Sequence, residues 1–128
     1  MERSLRKEVY TYIKSKYKAE PEYLWRRVPN YAVFRHNDNR KWFALMMDIP
    51  KNKLGKFDET TVDILNVKLA DTLAVELYIQ REGIFRGYHI SRSNWISILL
   101  DGTVDIQEIY SLIDESFKVT SMKSPKSA

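Results

Sequence analysis

Several residue types on which common active sites depend are missing or scarce in this chain. The 128 residues include no cysteine, which excludes disulfides, thiolate zinc sites and cysteine nucleophiles. Only four glycines are present, and they form neither a Walker A loop nor a G-x-G-x-x-G motif, so a glycine-rich phosphate cradle is also excluded. Because disulfides are typical of secreted domains, the lack of cysteine favours a reducing compartment, and we expect a cytoplasmic protein.

Long apolar segments are also absent from the sequence. No apolar run approaches the roughly 20 residues that a membrane-spanning helix needs, and the first residues, MERSLRKEVYTYIK, are too charged for a signal peptide. We therefore expect no membrane partner. With 44% hydrophobic residues the chain can bury one core, which predicts a single domain over residues 1–119. Residues 120–128, with several Lys and Ser and one Pro, are predicted to form a disordered tail.

The sequence offers little for metal or catalytic chemistry. Its two histidines, His36 and His89, are not at ligand spacing from each other, and no H-E-x-x-H motif occurs. Ser91 and Ser93 lie close to His89 in the chain, but neither stands in a G-x-S-x-G turn, and no third group is identified that would orient the imidazole. We therefore predict no metal site, no cofactor and no catalytic residue, and a protein that is not an enzyme.

The formal net charge of +4 is concentrated in the N-terminal third of the chain. Residues 1–41 contain 11 Lys or Arg against 5 Asp or Glu, whereas residues 42–100 contain 7 of each and residues 101–128 contain 3 against 5. A positive surface attracts polyanions, which makes nucleic acid a candidate partner. A surplus of this size is also common on ordinary solvated surfaces, so charge alone leaves both interpretations open.

Apolar periodicity predicts three helices. Apolar residues recur every four positions from Leu5 to Tyr17, with Ser4 as a candidate N-cap. A second, short helix is predicted at residues 72–82, after the candidate cap Asp71, although part of this segment is also compatible with a strand. The clearest helix has an apolar face formed by Ile106, Ile109, Tyr110, Ile113 and Phe117.

Four strands are predicted between these helices. Residues 31–35 and 41–47 are rich in β-formers and are joined by a turn-like segment, which is typical of a hairpin. Further strands are predicted at residues 62–69 and 95–100. The order of a helix, three strands, a helix, a strand and a helix predicts an α+β fold, an antiparallel sheet with helices packed on one face. It excludes a doubly wound parallel sheet.

Basic and aromatic residues alternate in three parts of the sequence. These clusters are Tyr23, Trp25, Arg26, Arg27, Tyr31 and Arg35; then Arg40, Lys41 and Trp42; then Arg86, Tyr88, His89 and Arg92. Cations in such clusters can hold phosphates while exposed rings stack on bases. In the alternative interpretation Trp42 and Trp95 are core residues, which we favour for Trp95 because it adjoins an apolar strand. Trp25 is the tryptophan that we expect to be exposed.

The segment GYHISRSNWISILLDG, residues 87–102, followed by IQEIYSLIDESF, resembles the MmcQ/YjbR family of small bacterial proteins. The C-terminal half of that family has a strand with tyrosine or histidine, an Asn-Lys pair, His-Trp, an apolar strand ending in Leu-Asp-Gly, and a helix closing on Ser-Tyr. Upstream, VDILNVKLADTLAVEL is similar to the family's strand, its lysine at Lys68 and its capped helix. The resemblance covers residues 5–119.

This chain departs from the family pattern at three places. It has Ser91-Arg92 for Asn-Lys, Asn94-Trp95 for His-Trp, and Ser116-Phe117 for Ser-Tyr. Arg92 keeps the cation, whereas Asn94 lacks the imidazole. The resemblance implies a frataxin-like (CyaY-like) α/β sandwich and a DNA-binding role through wing-like hairpins. It does not extend to iron handling, since an iron-binding ridge needs an acidic first helix and this one is basic.

Three hypotheses of function follow. The leading one is a monomeric DNA-binding protein of low sequence specificity. Its predicted phosphate contacts are Arg26, Arg27, Arg35, Arg40, Lys41, Lys68, Arg86 and Arg92, with Trp25, Tyr88 and His89 as a stacking or ligand edge. The second is a protein-interaction or small-ligand module that uses the edge of Tyr88, His89 and Trp95, and a concave apolar pocket there would favour it. The third is a metal-binding protein by analogy with frataxin.

Overall fold

The computed structural model describes residues 4–55, 58–91 and 93–121. Within these ranges the elements follow one another as α1 (Arg6–Tyr17), β1 (Ala32–Arg35), β2 (Trp42–Pro50), β3 (Thr61–Lys68), α2 (Thr72–Tyr78), β4 (Ile84–Arg86), β5 (Trp95–Leu99) and α3 (Ile106–Ser121). A short 3-10 helix, Lys51–Leu54, lies between β2 and β3. None of the helices in the described ranges is long and apolar enough to cross a membrane.

The five strands form one sheet in the order β1-β2-β3-β5-β4. Each neighbouring pair is antiparallel, and the β1–β2 hairpin predicted from the sequence is present. The register of β1 against β2 shifts between Phe34 and Arg35, where the ladder has an irregularity. The predicted α+β fold with an antiparallel sheet is therefore confirmed.

One face of the sheet packs against the helices and forms the larger core, which we call the helical face. Val9 and Ile13 of α1 and Ile109 and Ile113 of α3 are fully buried there, together with residues from all five strands. Burial of each such side chain stabilises the fold by about 1.5–3 kcal/mol. The predicted placement of the helices on one face of the sheet is confirmed. The apolar residues of each helix are spaced so that they lie on the side of the helix that contacts the sheet.

Polar contacts also join α1 to α3. The hydroxyls of Tyr12 and Tyr17 donate to the Asp114 carboxylate at 2.8 and 2.5 Å, and Lys16 Nζ lies 3.0 Å from the same group. Burial raises the pKa of Asp114, but the hydrogen bonds from Tyr17, Tyr12 and Lys16 together hold it below its ordinary value. The carboxylate therefore stays charged and fixes the two helices side by side.

The other face of the sheet carries no α-helix among the described residues and is covered by side chains from loops, strand ends and the 3-10 helix. Val33, Leu45, Met47, Ile64 and Leu99 are buried on it, because alternate residues of a strand point to the same side. Half-buried rings pack over them, those of Trp25, Tyr31, Trp42, Phe85 and Tyr88. We call this surface the aromatic face.

Two elements around Gly83 differ from the sequence-based prediction. The Asp71 side chain caps α2 as expected by accepting from the Ala74 amide at 2.9 Å, but α2 ends at Tyr78 rather than at residue 82. Gly83 has a φ of +87° and leads directly into β4, a strand that the periodicity did not predict. Three residues are too few to show an alternating pattern.

The ends of the domain also differ in detail from the prediction. Ser4 does not act as the N-cap of α1, whose N-cap is Leu5, but its hydroxyl accepts from the Arg6 amide at 3.1 Å. At the other end α3 runs to Ser121, so the boundary predicted at residue 119 is two residues too early. The reason is that Thr120 is buried and contacts His36. The rest of the predicted tail, residues 122–128, lies outside the described residues.

Candidate nucleic-acid interface

The loop between α1 and β1 places Trp25 over the aromatic face. Lys18 adopts a left-handed conformation that ends α1. Glu22 and Val33 then exchange two backbone hydrogen bonds of 2.9 Å, which ties the loop to the edge of the sheet. The Tyr31 amide donates to the Val28 carbonyl at 3.0 Å and turns the chain into β1. Trp25 lies between these two fixed points.

The Trp25 ring packs edge-on against two other rings. Its centroid lies 6.0 Å from those of Trp42 and Tyr31, with interplanar angles of 86° and 74°. Such T-shaped pairs stabilise by about 0.5–1.5 kcal/mol beyond the burial of area. Trp25 is therefore half-buried rather than freely exposed, and its ring helps to hold the loop in place.

Arg26 and Arg27 follow Trp25 and are exposed to solvent. Neither guanidinium has an ion-pair or hydrogen-bond partner among the residues that the structure describes. Lys41, which begins the return of the β1–β2 hairpin, is exposed as well, and its ammonium group likewise lacks a carboxylate within the described ranges. These three predicted phosphate contacts are thus available to an anionic partner.

Arg35 and Arg40 share one carboxylate. Arg35 Nε donates to Glu22 Oε1 at 3.1 Å, and Arg40 Nη2 donates to Glu22 Oε2 at 2.9 Å. The Arg35 guanidinium also lies 5.9 Å from the centroid of the Trp42 ring, within the range of a cation–π contact. Two cations on one anion leave a net positive charge beside the aromatic face, although each arginine is less free than Arg26.

The remaining predicted cations are spread over the sheet. Arg86 lies on edge strand β4 and forms two contacts with the Glu76 carboxylate, at 2.6 and 3.0 Å. Because β4 and β1 are opposite edges of a five-stranded sheet, about 19 Å separates them, four spacings of about 4.8 Å. Lys68 is half-buried at the end of β3, on the side of the aromatic face by strand alternation. Arg92 lies outside the described residues.

The predicted edge at Tyr88 and His89 is present on the surface. The two rings stack with centroids 4.1 Å apart and an interplanar angle of 11°, and His89 is exposed. His89 has a φ of +55°, which is uncommon for a non-glycine residue. Trp95 is 8% exposed, so the interpretation of Trp95 as a core residue is confirmed and the edge consists of Tyr88 and His89.

A buried polar pair that the sequence analysis missed supports this edge. Asn66 and Ser97 are fully buried, and the Ser97 hydroxyl donates to the Asn66 side-chain oxygen. The same hydroxyl accepts from the Tyr88 amide at 2.9 Å. The sequence does show an asparagine and a serine in the middle of two otherwise apolar strands. Because buried polar side chains need hydrogen-bond partners, this pattern could have predicted the pair.

Two concave spaces meet at His89. The smaller one, which we call the aromatic pocket, has a volume of about 410 Å³. It is lined by Trp25, Val28, Tyr31, Trp42, Leu45, Met47 and His89. The larger, shallower recess of about 860 Å³ lies between the 3-10 helix and β4, with Tyr88 and His89 on its border. Both volumes are within the range of small-ligand sites.

The aromatic face presents groups that can bind a ligand. Within the described ranges no three histidine, aspartate or glutamate side chains come together in a way that could hold a metal ion. The groups that the aromatic face presents are rings, cations and one exposed imidazole. Cations bind phosphate oxygens, and rings stack on bases or other flat ligands.

Comparison with known proteins supports the same architecture. A model of the YjbR family matches residues 14–119. The protein YyaQ of Bacillus subtilis (strain 168) is 40% identical over 115 residues, which cover 90% of this chain and 97% of YyaQ. A crystal structure of a Pseudomonas syringae protein superposes with a TM-score of 0.87 at 40% identity, covering 90% of this chain and 97% of the other.

A more distant structure shows how widely the fold is shared. The Deinococcus radiodurans protein DR2400 superposes with a TM-score of 0.71 over 94% of this chain and 80% of its own. Its sequence identity is 18%, so the likeness concerns the fold.

Proposed function

This chain belongs to the YjbR family, and from that premise we propose that it binds DNA through the aromatic face with low sequence specificity. The observation that carries the proposal is the pair Arg26 and Arg27, two exposed guanidinium groups without a carboxylate partner in the described part of the chain. They adjoin a cluster of three aromatic rings. Cations beside rings are the combination that holds the backbone of DNA and stacks on its bases.

The distribution of charge over the two faces favours the same surface. On the helical face, Asp114 accepts from two tyrosines and Lys16, and Glu108 pairs with Arg81. Around the aromatic pocket the carboxylate found in contact with arginines is Glu22, which faces two of them. With Arg26 and Arg27 exposed in the adjoining loop, an anionic partner would meet positive charge around the aromatic pocket.

Low sequence specificity follows from the type of side chain. Arginine and lysine on a surface bind phosphate oxygens, which every DNA sequence carries. Rings that stack on bases tolerate all four bases, because each base has a π-face. We therefore expect similar affinities for duplexes of unrelated sequence.

Salt dependence of binding tests the proposal. For a fluorescein-labelled duplex, the logarithm of the affinity should fall linearly with the logarithm of salt concentration, with a slope of about −0.9 per phosphate contact. The double variant Arg26→Ala/Arg27→Ala should bind about tenfold more weakly, as expected for the loss of about 1.4 kcal/mol. Its slope should be less steep by about 1.8, two contacts at about 0.9 each. Fluorescence anisotropy between ~50 and 200 mM salt measures both quantities.

A charge-matched control separates a specific surface from general attraction. The double variant Lys7→Ala/Lys118→Ala also removes two positive charges, but from exposed positions of α1 and α3. This control should keep both the affinity and the salt slope of the wild type. If the two double variants lose affinity equally, or if no duplex binds at ~50 mM salt, the proposal is wrong.

A second candidate function is favoured by one observation, the recess of about 860 Å³ beside Tyr88 and His89. A concave space at this edge is what a small-ligand or protein-interaction module needs. Trp95 is buried, so this candidate depends on the stacked Tyr88 and His89 pair. A ligand that protects this edge in solution while the Arg26 region stays unaffected would support it.

A further inference from the structure

The aromatic pocket has walls on three sides and an apolar floor. Trp25 stands nearly perpendicular to Trp42, at 86°, and to Tyr31, at 74°. Leu45 and Met47 of β2 form the floor, and both side chains are buried. Since the pocket opens between rings rather than between flexible chains, its shape is largely formed before a ligand binds.

The lining of the pocket suits a flat, uncharged ring. None of its lining residues is acidic, and none is a lysine or arginine. The lining side chains with polar groups that can form hydrogen bonds are those of Tyr31, His89 and the two tryptophans, whose indole N–H groups donate. Burial, together with Tyr88 and Asp48, raises the pKa of Tyr31, so its hydroxyl keeps its proton and can donate.

The rim of the pocket is cationic. Arg26 and Arg27 lie in the chain between two lining residues, Trp25 and Val28, and both are exposed. The Arg35 guanidinium lies 5.9 Å from the ring of Trp42, a third lining residue. A cationic ligand of the kind held by aromatic cages would be repelled here. The complementary ligand is a flat ring that carries an attached anion.

A nucleobase with its phosphate has this chemistry. A base inside a duplex is stacked on both sides and cannot enter a walled pocket unless it leaves the helix. Leaving costs a few kcal/mol for a paired base and least for a base that has no partner. The pocket volume of about 410 Å³ is near the lower end of small-ligand sites, which suits one nucleotide.

We propose that the aromatic pocket receives one unpaired base of a DNA strand while Arg26 and Arg27 hold the neighbouring phosphates. This inference rests on the proposed DNA-binding function and adds a preference to it. The protein should bind DNA that contains an unpaired nucleotide more tightly than fully paired DNA.

Three matched duplexes test the preference by fluorescence anisotropy. One is fully paired, one carries a single bulged thymine, and one carries a bulged abasic nucleotide in the same place. The bulged thymine should bind about tenfold more tightly than the paired duplex, since stacking of one base is worth about 1–3 kcal/mol. The abasic bulge bends the duplex equally but lacks the ring, so it should bind no more tightly than the paired duplex.

Two variants test whether the preference for the bulged duplex depends on the aromatic pocket. Trp25→Leu removes a wall, and Val28→Trp fills the space while keeping all the original rings. In both variants the ratio of the affinities for the bulged and the paired duplex should fall from about ten to about one, because the base no longer finds a fitting pocket. Arg26→Ala/Arg27→Ala should weaken the binding of all three duplexes. Thermal unfolding shows whether each variant is folded. One folded pocket variant, either Trp25→Leu or Val28→Trp, is enough to test whether the preference depends on the pocket.

The outcomes distinguish this inference from the proposed function. Equal affinity of the wild type for the paired and bulged duplexes, with a normal salt slope, would overturn the pocket proposal and leave DNA binding standing. Absence of binding to any of the three would overturn both. Thymidine 5′-monophosphate that quenches tryptophan fluorescence at micromolar concentration, with no gain for the bulge, would assign the pocket to free nucleotides and overturn the proposal for a strand.

Discussion

Glu22 determines which of the clustered arginines are free to bind a partner. It holds Arg35 and Arg40 through separate oxygens of one carboxylate, whereas Arg26 and Arg27 have no carboxylate partner among the residues that the structure describes. Solvent-exposed ion pairs of this kind are worth about 0–1 kcal/mol, so a phosphate can compete with Glu22 for either arginine. The four arginines therefore carry the same group but differ in how readily they can bind a phosphate.

The buried histidine gives the fold a pH dependence that one substitution tests. His36 is 2% exposed, and its Nε2 lies 2.6 Å from the Thr120 hydroxyl oxygen. Burial lowers the pKa of His36 from 6.5, against a smaller opposite effect of Asp38. Because the unfolded chain takes up a proton near pH 6.5 and the folded chain does not, stability should be full above this pH and fall as the pH is lowered.

The two histidines of the chain provide the variant and its control. Melting temperatures between pH 7.5 and 5.5 should fall less for His36→Phe than for the wild type, since that variant lacks the titrating group. His89→Ala changes the exposed histidine and should keep the wild-type dependence on pH. If the wild type and His36→Phe show the same pH dependence, the pKa of His36 is the same in the folded and unfolded states and burial does not lower it.

The helices that the sequence predicted most accurately are those with many apolar repeats. α1 and α3 span 12 and 16 residues, so several turns place their apolar residues on one side. β4 was missed because three residues carry no period, and α2 was overextended because the chain after Tyr78 continues as turns up to Gly83. A pattern predicts an element only when the element is long enough to repeat the period several times.

The site was predictable in its residue types but not in its geometry. The clustering of Trp25 with Arg26 and Arg27 is local in the chain and visible in the sequence. The contact of Trp25 with Trp42 joins residues 17 positions apart and depends on the loop being tied to β1. The pocket between them follows from tertiary packing, which a single sequence does not display.

The connection between β4 and β5 depends on one buried hydroxyl. Ser97→Ala removes the donor to the buried Asn66 oxygen and the acceptor for the part-buried Tyr88 amide, so that both groups lose this partner. The expected loss of stability is about 1–3 kcal/mol, measured by urea unfolding. Hydrogen exchange at the Tyr88 amide should become faster than in the wild type.

An exposed serine in the same connection is the control for this prediction. Ser93 contacts Ser91 and Asn94 at the surface, so Ser93→Ala should change stability by less than about 0.5 kcal/mol. If Ser97→Ala is as stable as Ser93→Ala, the buried pair does not hold the edge of Tyr88 and His89 in place.

On the scale of the whole molecule, the sheet separates two kinds of surface. The helices cover one face, and aromatic rings with the neighbouring arginines of the α1–β1 loop cover the other. The N-terminal third of the chain carries a surplus of six positive charges and supplies both α1 and the loop with Arg26 and Arg27. The loop places part of this positive charge, that of Arg26 and Arg27, beside the aromatic face. We therefore expect an anionic partner to bind on this face.

A nuclear magnetic resonance titration with a short DNA duplex tests this account most directly. Amide shifts on addition of DNA should concentrate in residues 22–42 and around Tyr88 and His89, which border the aromatic face. Exposed residues of α1 and α3 should shift little, since the sheet lies between them and the duplex. Shifts concentrated on α1 and α3, or none at a saturating concentration of DNA, would contradict the assignment of DNA binding to the aromatic face.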